Sequence, residues 1–208
     1  MTPPRGPAPK IKLCGLSRPA DIAAANRLLP DYIGFVFAPG RRQVSPAQAA
    51  ALRRQLSPAI PAVGVFVAEP PEEIAALAAA GAINVIQLHG APDAAGLCAL
   101  RQATGLPVWQ AVRVTDAQSL LAARALPADL LVLDGGAGEG RAFDWTLLRG
   151  FPRPYFLAGG LNAGNLAAAI AVVRPYGVDV SSGAETNGKK DPAKMAALVA
   201  LARAAEYR

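Results

Sequence analysis

The chain has few cysteines, little charge and no long apolar run, and each scarcity removes a class of protein. Its 208 residues hold two cysteines, Cys14 and Cys98, in settings that do not suggest a stapled, secreted framework, so both are read as free thiols. No apolar run approaches the roughly 20 residues that a bilayer-spanning helix needs, and no membrane partner is expected. The opening MTPPRGPAPK lacks the apolar central segment of a secretory signal, which predicts a cytoplasmic protein. Charged residues are 17% of the chain, with a formal net charge of +6. That excess would suit an anionic partner. The lysines and arginines, however, are scattered among helical stretches and form no stripe with interleaved aromatics, so no nucleic acid is expected. A solvated basic surface and a small polyanionic substrate are the two readings that remain.

What is present points to one large core. Hydrophobic residues make up 52%, as in a well-buried α/β protein and unlike a disordered or coiled-coil chain. After a Pro-rich leader, residues 1–9, Lys10 to Leu13 reads as a short strand ending at Cys14-Gly15, followed by an Ala-rich helix from Arg18 to Leu28. The alternation then repeats. Strands are predicted at Tyr32 to Phe37, Ala62 to Val67, Asn84 to Leu88, Val108 to Val112, Leu130 to Asp134, Tyr155 to Ala158 and Val178 to Ser181. The helices that follow them run from Pro46 to Leu56, Pro71 to Ala80, Pro92 to Ala103 and Asp116 to Ala125, then a short one from Asp144, then Asn162 to Val173 and Pro192 to Ala205. The strands are short and almost continuously apolar, as parallel strands are when helices cover one face and a barrel core the other. Pro46, Pro71, Pro92 and Pro192 stand where a first helical turn tolerates a missing N–H. Eight units favour a closed barrel over an open sheet. The fold class is therefore α/β, a single-domain (β/α)8 TIM barrel over residues 10–208, with no second domain left over.

In such barrels the chemistry sits in loops at the carboxyl ends of the strands. The polar residues there are Cys14, Arg41 with Arg42, His89, Arg113, Asp134, Gly159-Gly160 and Ser181-Ser182-Gly183. A Gly-Gly alone is only a tight strand-to-helix turn. Paired with Ser-Ser-Gly one unit later, it predicts a phosphate between Gly160 and Ser182, held by Gly159, Gly160, Ser181, Ser182 and Gly183, because glycine lets backbone N–H groups approach an anion at a helix start. Asn162 is read as a helix N-cap, not a ligand.

Cys14 shares a strand face with Lys10 and Lys12, and in a barrel that face points inward. A buried structural thiol is the plain reading of a free cysteine. At a strand end it can instead be a base, provided that a cationic neighbour such as Lys12 enlarges the thiolate fraction of a group whose ordinary pKa is about 8.5. Asp179, on the inward face of strand eight, is expected to pair with Lys12. Asp134 closes the apolar strand LLVLD. A carboxylate there either caps the following loop or, with apolar neighbours and an anionic substrate raising its pKa, serves as a general acid. The segment GGAGEGRAF, Gly135 to Phe143, is either a closing loop or a plain connector. His89 is either a substrate contact or a satisfied structural histidine, Asp144 is an N-cap, and Cys98 is packing.

These residues resemble those of the phosphoribosylanthranilate isomerase family from about Lys10 to Asp191. The pieces that carry the likeness are KLCGL, GFVFAPGRRQVSP, VGVFV, QLHG, LLVLD, GEGRAFDW, LAGGLN and GVDVSSGAE followed by GKKD, in that order. The resemblance implies an Amadori rearrangement in tryptophan biosynthesis with phosphoribosylanthranilate as the small-molecule substrate and no metal or other cofactor. It implies Asp134 as the acid that protonates the furanose ring oxygen, Cys14 as the base that removes the C2 proton, and Arg42 as the grip on the anthranilate carboxylate. His89 and Asp179 are further substrate-contact candidates, and a monomer is favoured over a homodimer. The chain departs from the family pattern at Leu13, Ala142 and Arg141, where Ile, Thr and Lys are usual, and in a shorter loop around Arg41 and Arg42. Arg41 is therefore a candidate to share the carboxylate. The related isomerase of histidine synthesis uses aspartates in both catalytic places, and Cys14 argues against it. An idle phosphosugar-binding barrel is the rival from another class.

Overall fold

A computed structural model describes residues 8–90, 94–135 and 144–205. Eight parallel strands close into one barrel in sequence order. They are β1 (Lys10–Cys14), β2 (Tyr32–Val36), β3 (Ala62–Phe66), β4 (Val85–His89), β5 (Val108–Arg113), β6 (Leu130–Asp134), β7 (Tyr155–Ala158) and β8 (Gly177–Val180). Between them lie α1 (Pro19–Leu28), α2 (Pro46–Gln55), α3 (Pro71–Ala79), α4 (Ala94–Thr104), α5 (Ala117–Ala125) and α6 (Leu166–Val173). A 3-10 turn, Trp145–Leu148, stands after β6. After β8 come a second 3-10 turn, Ser182–Ala184, and a small hairpin of β9 (Glu185–Thr186) and β10 (Lys189–Lys190), and α7 (Pro192–Ala204) ends the described order. No helix among the described residues is long and apolar enough to cross a membrane.

Alternation along the strands sorts the core into two layers. Residues such as Ile11, Leu13, Ile33, Ile86, Leu131 and Leu157 face outward against the helices, each fully buried. The alternate residues Cys14, Val63, Val65, Trp109, Val132 and Phe156 fill the interior. Each large apolar side chain so buried contributes about 1.5 to 3 kcal/mol. The interior narrows to an aromatic floor, where Trp109 and Phe156 stack at 5.1 Å and Tyr32 meets Trp109 edge-on. Gly177 leaves room for the Phe156 ring, since a Cβ there would stand 2.7 Å from Cδ1.

The helix starts follow local chemistry. Pro19, Pro46, Pro71 and Pro192 open their helices in first-turn positions. Ser45 and Gln48 close a reciprocal capping box, with Ser45 Oγ accepting from the Gln48 N–H at 3.2 Å and Gln48 Oε1 accepting from the Ser45 N–H at 2.8 Å. Asp116 caps α5 through Ser119 at 2.8 Å, and Asp191 caps α7 through Ala193 at 2.9 Å.

Three expectations need amendment. The helix expected from Asn162 begins at Leu166, and Asn162 is no N-cap: its Oδ1 accepts from the Gly164 N–H at 2.8 Å, which makes a local turn before the helix. The short helix expected from Asp144 is a 3-10 turn, capped by Asp144 as anticipated, and Gly150 (φ +72°) and the prolines beyond it stop it from lengthening. The helix start expected at Pro92 lies outside the described residues, as do Arg141, Ala142, nearly all of the Gly135 to Phe143 segment and residues 1–7 of the leader.

Candidate active site

The carboxyl ends of the strands surround a cavity of about 420 Å³, lined by Cys14 from β1, His89 from β4, Asp134 from β6 and Asp179 from β8, with Arg42 on its rim. Gly159, Gly160, Ser181 and Ser182 line it as well, so the cavity gathers nearly all of the strand-end residues singled out by sequence. Gly183 and Arg113 are the exceptions. A larger, mainly apolar groove of about 530 Å³ runs between α3 and α4 and meets the cavity at Val67 and His89. It lies between helices, whereas the smaller cavity stands at the carboxyl ends of the strands, where barrels of this kind carry their chemistry.

Cys14 is a free thiol buried at the end of β1. Gly34 on the neighbouring strand makes its place, since a Cβ there would come within 2.8 Å of Sγ. Beneath it Lys12 and Asp179 sit opposite each other in the β1–β8 register and form a buried ion pair, Nζ to Oδ2, of 2.8 Å. The pairing expected from strand alternation is present. Burial pushes the Cys14 thiol above its ordinary pKa, the Lys12 charge opposes that rise, Asp179 adds to it, and Lys190 opposes it. Burial also opposes the charge of Lys12, but Asp179 and the Cys14 sulfur outweigh it and raise the Lys12 pKa, so the cation below the thiol persists. The other oxygen of Asp179, Oδ1, is buried with no hydrogen-bond partner among the described residues. It lies where a ligand hydroxyl can satisfy it.

Asp134 ends β6, half-buried, separated from β1 around the ring by β7 and β8. The two candidate groups thus reach the cavity from well-separated strands. His89 is partly buried beside Gln87, with 3.0 Å between Gln87 Nε2 and His89 Nε2. Burial first, and then the Lys12 charge, lower its pKa, which keeps its ring neutral at pH 7.

Two glycine turns form the far rim. Gly159 (φ +99°) and Gly160 (φ +62°) hold conformations that favour glycine. The Gly160 carbonyl accepts from the side-chain amides of Asn162 and Asn165 at 3.2 and 3.1 Å, which fixes the turn. Ser182 is exposed on the opposite loop, while the Ser181 hydroxyl donates to the Cys14 carbonyl at 3.2 Å. Gly183 stands behind them, its Cα so close to the Leu161 carbonyl that a Cβ would overlap it.

The loop from β2 to α2 carries Arg41 and Arg42 and is tied by Gln43, whose Nε2 donates to the Phe37 carbonyl at 2.9 Å, and by Val44 N–H to Val36 O at 2.9 Å. Arg42 meets the buried Glu185 with two parallel bonds, Nε to Oε1 at 2.6 Å and Nη2 to Oε2 at 3.0 Å. Arg41 and Lys190 reach the same carboxylate at 2.8 and 2.7 Å. Burial opposes the charge of Glu185, but hydrogen bonds from Arg42 and Lys190 more than offset it and bring its pKa down to about 2. Reasoning from strand ends missed Glu185 and Lys190. The sign that was available is Asn187-Gly188, the hairpin dipeptide that turns β9 back into β10 with both residues at positive φ.

Residues 11–200 match the family model described as N-(5'phosphoribosyl)anthranilate (PRA) isomerase. The chain belongs to this family. It is accordingly an isomerase of tryptophan biosynthesis. Among its curated relatives is the N-(5'-phosphoribosyl)anthranilate isomerase of Endomicrobium trichonymphae, 42% identical over 200 residues that cover 94% of this chain and 98% of the relative. Among solved structures, monomers generated from the dimeric phosphoribosylanthranilate isomerase of Thermotoga maritima superpose with a TM-score of 0.83 at 34% identity, covering 94% of this chain and 99% of that one. A phosphoribosyl anthranilate isomerase in complex with reduced 1-(o-carboxyphenylamino)-1-deoxyribulose 5-phosphate gives 0.84 at 34% identity, over 94% and 98% of the two chains.

Proposed function

We propose that this chain converts N-(5-phosphoribosyl)anthranilate into 1-(2-carboxyphenylamino)-1-deoxyribulose 5-phosphate by an Amadori rearrangement, with Asp134 as general acid and Cys14 as general base. The observation that carries the reading is that a buried thiol and a half-buried carboxylate enter one cavity from well-separated strands. Asp134 gives its proton to the furanose ring oxygen as the bond from that oxygen to C1 breaks and the anilino nitrogen supplies its lone pair to form the Schiff base. The Cys14 thiolate then takes the proton from C2, and the C2–H electron pair neutralises the iminium to give an enolamine. Tautomerisation of the enolamine yields the ketone. The elements of the substrate are all retained, so the step needs no oxidant and no cofactor.

The remaining residues supply binding. The phosphate lies between Gly160 and Ser182, with Gly159 and Ser181 in the same two turns and Gly183 allowing the turns to approach. Glycine-rich turns leading into helices are suited to phosphate. The free oxygen of Asp179 and the neutral His89 ring face the sugar hydroxyls, and Arg42 takes the anthranilate carboxylate, for which a planar fork of donors is well shaped. Every residue in this reading comes from one chain, so a monomer suffices, and a cytoplasmic location goes with it.

The test is loss of anthranilate-type substrate fluorescence on addition of purified protein. Cys14→Ala and Asp134→Asn are each expected to lower turnover by at least about 100-fold, the usual worth of a positioned acid or base, while a reduced product analogue still binds. Full activity in either variant overturns the role given to that residue.

A further inference from the structure

The hairpin of β9 and β10 is the part of the site left without a task. It presents Glu185 and Lys190, both buried, to the loop that carries Arg42. We infer that Glu185 is a positioning residue that grips the Arg42 guanidinium from the side, so that its end-on edge faces the carboxylate of the aromatic amine. The inference rests on the assignment of Arg42 made above.

The donor arithmetic favours this arrangement. A guanidinium carries five N–H donors in one plane. Glu185 takes Nε–H and one N–H of Nη2. Two N–H groups on Nη1 and one on Nη2 remain, and of these one from each nitrogen forms the end-on fork that can hold a second carboxylate by two parallel bonds. Glu185 is itself unable to swing away: Lys190 holds Oε1 at 2.7 Å, Arg41 holds Oε2 at 2.8 Å, and its backbone carbonyl accepts from Lys194 at 2.7 Å. The Lys190 ammonium also donates to the Ser181 carbonyl at 2.8 Å, which ties this network to the loop beside Cys14. On its other side the Arg42 stem lies against Gly15, where a Cβ would come within 2.5 Å of Cδ. The guanidinium is thus fixed at both stem and side.

Charge points the same way. Arg41, Arg42 and Lys190 surround the single carboxylate of Glu185, a surplus of two positive charges at the rim. With its pKa near 2, Glu185 stays ionised across working pH and does not release the arginine. The opposite arrangement would make Glu185 a resident competitor that the substrate must displace. The two ideas differ in the sign of one number.

The experiment compares wild type and Glu185→Gln on phosphoribosylanthranilate and on its decarboxylated counterpart, N-(5-phosphoribosyl)aniline. The expected result is a rise of about tenfold or more in KM for the first substrate, with kcat changed less than about threefold and the second substrate handled alike by both proteins. A lower KM makes Glu185 a competitor and overturns the inference, as does an unchanged KM. An equal loss on both substrates indicates a merely structural role and overturns it too. Should Glu185→Gln not fold, Glu185→Asp, which withdraws the carboxylate by one methylene, is expected to show the same selective rise, and an unchanged KM there is equally fatal. Arg42→Met separates the two levels. If its KM for phosphoribosylanthranilate is unchanged, the carboxylate role of Arg42 fails and this inference with it. If Arg42→Met is impaired and Glu185→Gln is not, only the positioning role fails.

Discussion

Gly183→Ala is expected to damage phosphate binding more than chemistry, because of where the added methyl group must go. A Cβ on Gly183 would lie far inside the van der Waals contact distance of the Leu161 carbonyl oxygen and 2.9 Å from both the Leu161 carbonyl carbon and Asn162 Cα. All three obstacles are backbone, so no rotamer change relieves them. The Leu161-Asn162 turn and the Ser182–Ala184 turn must separate, by about 1 Å if ordinary carbon–oxygen contact distances are to be restored. Overpacking of this kind costs about 1 to 3 kcal/mol, and rigid backbone on one side places the expected loss toward the upper end. A misplacement of about 1 Å in a binding element can cost about 100-fold. The expected outcome is a rise of about ten- to 100-fold in both KM for phosphoribosylanthranilate and Ki for inorganic phosphate as a competitive inhibitor, with kcat much less affected. Gly105→Ala is the control. Gly105 has φ +67° with nothing within 4 Å of a Cβ, so alanine there strains only its own backbone, by about 1 to 2 kcal/mol, between α4 and β5. Steady-state kinetics and thermal unfolding of the two variants decide the matter. Folded Gly183→Ala protein with unchanged KM and phosphate Ki would refute the idea that the two turns share one anion.

Two further predictions concern charge. Because the Lys12 cation lowers and the Asp179 carboxylate raises the Cys14 pKa, Lys12→Met should move the alkaline limb of the kcat/KM profile to higher pH and Asp179→Asn should move it lower; shifts in the same direction would remove the thiolate from the rate. Lys12→Met also strands a buried carboxylate, so a stability loss of about 3 to 5 kcal/mol is expected in urea. Glu185 has its carboxyl lowered from 4.5 to about 2 in the folded protein, so the unfolded chain binds the extra proton between those values. Its stabilising contribution is complete above pH 4.5 and lost as pH falls through about 2. At full weight the shift corresponds to roughly 3 kcal/mol, and to about 1 to 3 once solvent around the arginines screens the pair. Urea melts of wild type and Glu185→Gln should therefore differ at pH 7 and converge toward pH 2, and a gap that widens in acid would contradict the assignment.

Which features could be read in advance depended on whether their cause was local. β6 and β7 have the bounds expected, Leu130 to Asp134 and Tyr155 to Ala158, because each is an apolar run, closed in β6 by Asp134, that a glycine then stops. β4 starts one residue late, and Asn84 just ahead of it bonds Ala62 twice, its side chain accepting from the Ala62 N–H at 2.9 Å and its own N–H donating to the Ala62 carbonyl at 2.7 Å. The Lys12–Asp179 pair was accessible for a topological reason: closure of an eight-stranded barrel puts β1 beside β8, and alternation turns both residues inward. The grip of Glu185 on Arg42 spans 143 positions and joins two loops, neither of which has a periodicity to follow. Asn187-Gly188 announces a hairpin, but not which loop that hairpin will meet. Asn162 misled for a related reason. An asparagine before an apolar helix can cap it or build the turn ahead of it, and the Gly164 N–H it bonds decides for the turn.

The two ion networks also bear on why the barrel tolerates buried charge at all. A buried pair such as Lys12–Asp179 is costly to desolvate, and apolar residues of similar volume would stabilise the interior at least as well. Below the strand ends that interior is otherwise apolar apart from Gln87, from Val63 and Val132 down to Trp109 and Phe156, so packing alone gives no reason for the pair. Its location gives one, since it lies directly beneath Cys14, where a fixed cation and anion set the thiolate fraction from opposite sides. The Glu185 network does the corresponding work for the guanidinium of Arg42. Asp179, Ser181, Glu185 and Lys190 all fall within residues 179–190, and Lys190 links the carboxylate at Oε1 to the Ser181 carbonyl, whose own hydroxyl reaches the Cys14 backbone. One short segment from β8 to β10 therefore positions the proposed base and the proposed carboxylate grip together. Substitutions in it should divide by what they touch: a change at Asp179, beneath Cys14, should reach the chemical step, changes at Gly183 and Glu185 should reach KM, and changes confined to the β6 end, around Asp134, should reach kcat alone.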